Sequence, residues 1–131
     1  MQSERKLMVS KLRTMKQTSS LILAVILTLA LLLLGRTELA IGLVKAPYDL
    51  LLHAGFFGFI ALLIWYGSVY KTRLTIVLVS TLTIADELYQ LSMPGRHASV
   101  KDVLAGILGT LIILLIMFIL KMSWKKGYLK F

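Results

Sequence analysis

Three long stretches of apolar side chains constrain this chain more than any other feature. Ser19 to Gly35, Leu50 to Tyr70 and Val103 to Leu120 each approach or reach the roughly 17 to 25 residues that cross a hydrocarbon core of about 30 Å. In a chain of 131 residues, 58% apolar and only 16% charged, such runs leave little sequence for a water-soluble core. A segment in lipid must satisfy its own backbone polar groups, so these runs are expected as helices.

The charged residues are placed accordingly. The net charge of +9 raises the question of nucleic acid, but the basic residues lie in tails and connections between the apolar runs. That is the distribution of a membrane protein, and no nucleic-acid partner is expected. No cysteine is present, which excludes disulfides, thiolate metal ligands and a cysteine nucleophile.

Three parts follow: a basic tail over 1–18, a four-helix membrane domain over 19–121 and a basic tail over 122–131. The spans are expected near 19–35, 50–70, 74–92 and 101–120. The first follows Arg5, Lys6, Lys11, Arg13 and Lys16, and only Thr28 interrupts its apolar run from Leu21 to Leu34. It reads as a retained signal anchor; Ala40-Ile41-Gly42 is the small-residue stretch that the alternative, a cleaved signal peptide, would use. The second ends in Trp65, Tyr66 and Tyr70, aromatics suited to the headgroup level. The third is the least obvious, because its apolar stretch from Leu74 stops at Ala85 and crosses only if the helix continues through Asp86 and Glu87 to Pro94-Gly95. Lys71, Arg73, Lys121, Lys125, Lys126 and Lys130 join the basic N-terminal tail on one side, against Arg36, Lys45, Arg96 and Lys101 on the other. The positive-inside rule then predicts a compact all-α bundle of four transmembrane helices with both termini cytoplasmic.

That orientation puts Asp49, Asp86, Glu87 and Asp102 toward the extracytoplasmic side. Asp86 falls about 18 Å along a helix entered at Leu74, still within the hydrocarbon layer. A carboxylate at that depth is costly, should face the bundle interior, and is a functional candidate by default. Asp86 and Glu87 point about 100° apart, and Gln90, at i+4 and i+3, projects between them. His53 lies four residues after Asp49 on the same helix face, and Arg96, past the outer turn, is the expected counter-charge for the pair. Several of these residues also have structural accounts. Ser99 and Asp102 have capping-box spacing, Pro94-Gly95 makes a turn, and an interior His53 can be simply hydrogen-bonded. Gly55, Gly58, Gly106 and Gly109, with Ala54 and Ala105, form small faces that let helices approach.

The ordered set His53, Asp86-Glu87-Leu88-Tyr89-Gln90, Pro94-Gly95-Arg96 and Asp102, with Gly109 later, resembles the VanZ-like family of bacterial integral membrane proteins. The resemblance covers roughly residues 49–109, and the ordered combination is more specific than its pieces. Two positions depart from it: the family often has a lysine three residues before its histidine and an asparagine four after its last aspartate, where this chain has Leu50 and Gly106. The resemblance implies a cell-envelope protein associated with resistance to the glycopeptide teicoplanin.

Three functional readings follow. In the first, His53, Asp86, Glu87, Gln90, Arg96 and Asp102 form an outer polar cluster that binds a membrane lipid, a lipid-linked cell-wall precursor or the glycopeptide itself. In the second, an intramembrane enzyme modifies an envelope lipid or peptide with His53 or Glu87 as general base. The third is a proton-coupled or accessory transporter subunit, whose relay is the carboxylate pair. No cofactor is expected, and the absence of a His-x-x-x-His spacing leaves no metal site to expect. Nothing in the sequence bears on the oligomeric state.

Overall fold

Good helix formers fill the N-terminal stretch, and no glycine or proline interrupts it before Gly35, so the basic segment and the first apolar run join in one helix. In the computed structural model this is α1, Gln2–Leu34. It is followed by α2 (Tyr48–Gly67), α3 (Thr72–Gln90) and α4 (Val100–Lys125), and the structure describes residues 1–34, 48–93 and 98–125. Arg36, Lys45, the Ala40-Ile41-Gly42 stretch, Arg96 and the basic residues after Lys125 lie outside the described residues.

The chain is thus all-α with four helices. Three of them, α1, α2 and α4, are long and apolar enough to cross a membrane. The fourth, α3, runs unbroken through Asp86 and Glu87, and its 19 residues span about 28 Å, but its polar residues keep it outside that class. At 33 residues α1 is about 50 Å long, well beyond a hydrocarbon core, and the segment expected as a tail forms its first half.

The helices organise around α2, which packs against each of the others and most extensively against α4. Phe57, Ile60, Ala61 and Ile64 of α2 form the core with Ala24 of α1 and Val79 of α3. Against α1 the contact is antiparallel: Ser20 Oγ donates to Leu63 O at 2.8 Å, and Gly67 abuts Gln17 and Leu21. Against α4 it is parallel and built from small residues. Gly58 faces the Gly109 backbone, Gly109 faces the Ala54 backbone, and Gly106 faces Phe57 and Thr83. Gly55, by contrast, has nothing within 4 Å of the place a side chain would take, so it is not part of this close approach.

Buried Thr75, Thr83 and Thr110 direct their hydroxyls to carbonyls of their own helices, which satisfies them without an interhelical partner. Outward-facing positions are apolar instead: Leu29, Val77, Leu108, Ile112, Leu115 and Phe118 are all exposed. A polar solvent would penalise that surface over such an area, whereas acyl chains would not.

The connection from α2 to α3 is tight. Val69 and Tyr70 adopt φ of 59° and 66°, a left-handed conformation costly for a β-branched residue. Tyr70 N donates to Trp65 O at 2.7 Å, and the Tyr70 ring packs edge-on against Trp65 and Tyr66, which holds the turn. Lys121 Nζ sits 5.5 Å from the centre of the same ring, so the aromatic and basic ends of α2 and α4 meet here. The opposite end of the bundle gathers the start of α2, the end of α3 and the start of α4.

Candidate functional site

Parallel packing of α2 on α4, with α3 running against both, brings residues distant in sequence to one place. His53 lies in the second turn of α2, Asp86 and Glu87 in the last turns of α3, and Asp102 in the first turn of α4. His53 Nε2 stands 3.5 Å from Glu87 Oε1 and 3.7 Å from Asp86 Oδ2. One ligand atom each from His53, Glu87 and Asp102 lies within 4.8 Å of the other two. Asp86 and Glu87 are 6% and 4% exposed, values at which carboxylates are rare unless partnered.

Gln90 Nε2 lies between the two carboxylates, donating to Asp86 Oδ2 at 3.3 Å and to Glu87 Oε1 at 3.2 Å. This is the geometry that the i+4 and i+3 spacings require. The second oxygen of Glu87 does something the sequence did not announce: Oε2 accepts the backbone N–H of Ser99 at 2.8 Å.

That bond changes the meaning of the Ser99/Asp102 pair. Ser99 caps α4, its Oγ accepting the Asp102 N–H at 3.4 Å, so half of the capping box is present. The reciprocal half would use the Asp102 carboxylate on Ser99 N–H, but Glu87 takes that donor from the neighbouring helix. Asp102 therefore turns its carboxylate to His53 and Glu87 instead.

Asp49 contributes differently from its expected side-chain stacking on His53. Its Oδ1 accepts the Leu50 N–H at 2.8 Å, while its backbone carbonyl lies 3.3 Å from His53 Nδ1. A carbonyl can only accept, so Nδ1 is the donor of this contact, and Nε2 is the ring nitrogen left facing the two carboxylates. Nε2 is wholly buried and has no hydrogen-bond partner among the described residues. The only ion-pair contacts among those residues are the two His53 makes with Asp86 and Glu87. Arg96, the expected counter-charge, lies outside the described residues.

The two departures also have places in the structure. Leu50 is half-buried in the first turn of α2. Gly106 packs directly on the Phe57 ring and Thr83, so the room an asparagine side chain would need is already filled.

A helical membrane protein with a histidine and carboxylate cluster at one end of its helices is thus the class that fold and site define. Residues 11–121 match the family model described as VanZ/LLP1, and the chain belongs to that family. No curated protein and no solved structure matches it.

Proposed function

We propose that the protein crosses the cell membrane four times, with both termini in the cytoplasm and α3 as its third span. In this reading the cluster of His53, Asp86, Glu87, Gln90, Arg96 and Asp102 opens toward the extracytoplasmic side. It binds the polar part of a lipid or lipid-linked cell-wall component, and so alters susceptibility to teicoplanin-type glycopeptides. Asp86 and Glu87 receive amine or hydroxyl groups of the ligand, and Arg96 meets its phosphate or carboxylate.

The observation that carries this reading is the burial of two adjacent carboxylates with a histidine at the end of the helices opposite the basic, aromatic end. Polar groups held within a membrane helix bundle mark a working site more often than a structural one. Family membership supports an envelope role.

The reading is tested by Arg96→Ala and Glu87→Gln, compared at equal membrane levels for glycopeptide susceptibility and for binding of extracted envelope lipids. Both variants should lose binding and shift susceptibility; unchanged values in both would refute the site. A reporter fused after Met93 should read as extracytoplasmic, and a cytoplasmic signal would remove α3 as a span.

A second reading draws on one contact, that of His53 with Glu87 at 3.5 Å, which suits a general base and its carboxylate partner in an enzyme that modifies an envelope lipid. Turnover of defined envelope lipids by purified protein, abolished in His53→Ala, is its test.

A further inference from the structure

Three potential ligand atoms converge at the end of the bundle. His53 Nε2 faces Glu87 Oε1 at 3.5 Å and Asp86 Oδ2 at 3.7 Å. These separations lie at and beyond the outer limit of an N–H···O bond. They are close to the spacing of ligand atoms around a shared ion. Two atoms each about 2.1 Å from a metal, at a tetrahedral angle, stand about 3.4 Å apart. The Asp102 carboxylate completes a set from three helices: one ligand atom each of His53, Glu87 and Asp102 lies within 4.8 Å of the others, and Glu87 takes the Ser99 N–H that Asp102 would cap.

The surroundings also match what a metal-binding histidine and carboxylate need. His53 Nδ1 is anchored on Asp49 O at 3.3 Å, which directs Nε2 inward. Gln90 Nε2 holds both Asp86 Oδ2 and Glu87 Oε1, as ligating carboxylates are commonly held. The buried Nε2 has no hydrogen-bond partner among the described residues, which is the independent sign that something else meets it.

We propose that His53, Glu87 and Asp102, with Asp86 beside them, bind one divalent transition-metal ion between α2, α3 and α4. One imidazole with carboxylates suits ions of the zinc and manganese class better than copper(I), which prefers sulfur. No short sequence motif encodes the site, because each ligand comes from a different helix. The inference does not rest on the lipid-binding reading and would hold for a site of either proposed function.

The test uses full-length, tag-free protein in detergent, stripped with EDTA and desalted. It is then equilibrated separately with Zn2+ and Mn2+, and the metal is counted after gel filtration. The wild type should retain about one equivalent of at least one of the two ions, with affinity at least about ten-fold weaker in His53→Gln and Asp102→Asn. The thermal midpoint of the stripped wild type should also rise with the concentration of the retained ion, a readout that needs no variant. Retention of neither ion, retention unchanged in both variants, or a midpoint indifferent to the ion would overturn the proposal.

Discussion

Gly109 and Gly55 sit on neighbouring parallel helices, yet alanine at the two should act with opposite sign. At Gly109 the new methyl meets the Ala54 backbone, 2.6 Å from its carbonyl carbon and closer still to its oxygen. Ordinary contact begins at 3.4 Å, and a backbone cannot rotate away as a side chain can, so α2 and α4 must part by about 1 Å. Overpacking of this kind costs about 1 to 3 kcal/mol. At Gly55 the methyl meets nothing within 4 Å, so the substitution contributes only the helical preference of alanine over glycine, about 0.5 to 1 kcal/mol of stabilisation. The same preference applies at Gly109, so the difference between the variants isolates the packing cost at about 1 to 3 kcal/mol. The assay is reversible unfolding by SDS in mixed micelles, followed by the fluorescence of Trp65 and Trp124. Gly109→Ala should unfold at a lower SDS fraction than wild type and Gly55→Ala at an equal or higher one. Equal midpoints for the two variants would refute the close α2–α4 contact.

Three further outcomes follow from single contacts. Glu87→Ala removes the acceptor of Ser99 N–H, so hydrogen exchange at Ser99 should accelerate, whereas Glu87→Gln retains a carbonyl oxygen there and should largely preserve protection. Ser20→Ala deletes the 2.8 Å bond to Leu63 O that ties α1 to α2, and should destabilise the protein by about 0.5 to 1.5 kcal/mol in the same SDS titration. Gly106→Asn introduces the residue common in the family, but its Cβ meets the Phe57 ring at 3.0 Å and Thr83 closer still; a loss of about 1 to 3 kcal/mol is expected, and a neutral result would contradict the packing.

The spacing of Gln90 after Asp86 and Glu87 sufficed to place its amide between them, because i+3 and i+4 positions on a helix meet whatever the helix packs against. The expected role of Asp102 as a reciprocal cap was a local reading of the same kind, and there tertiary structure intervened. Glu87 arrives from α3 and takes the Ser99 donor, a choice no spacing within α4 could reveal. The glycines divide likewise: all four read as packing residues, but Gly55 faces open space while Gly58, Gly106 and Gly109 lie in contact. Rotation of a uniformly apolar helix about its axis leaves no strong signature in composition, so its buried side is decided by the neighbours.

The three helices long and apolar enough to cross a membrane were legible in the sequence, because in lipid such a run satisfies its backbone within itself only as a helix. The family was legible there too, the match extending over residues 11–121. Sequence placed His53, Glu87 and Asp102 toward one side of the bundle, and their approach to within 4.8 Å of one another came from the packing of the helices. Their meeting depends on α2 and α4 lying parallel and close enough for glycine alone at Gly109, with α3 running back between their starts. That is a property of three helices together, and no one of them carries it in its own residues.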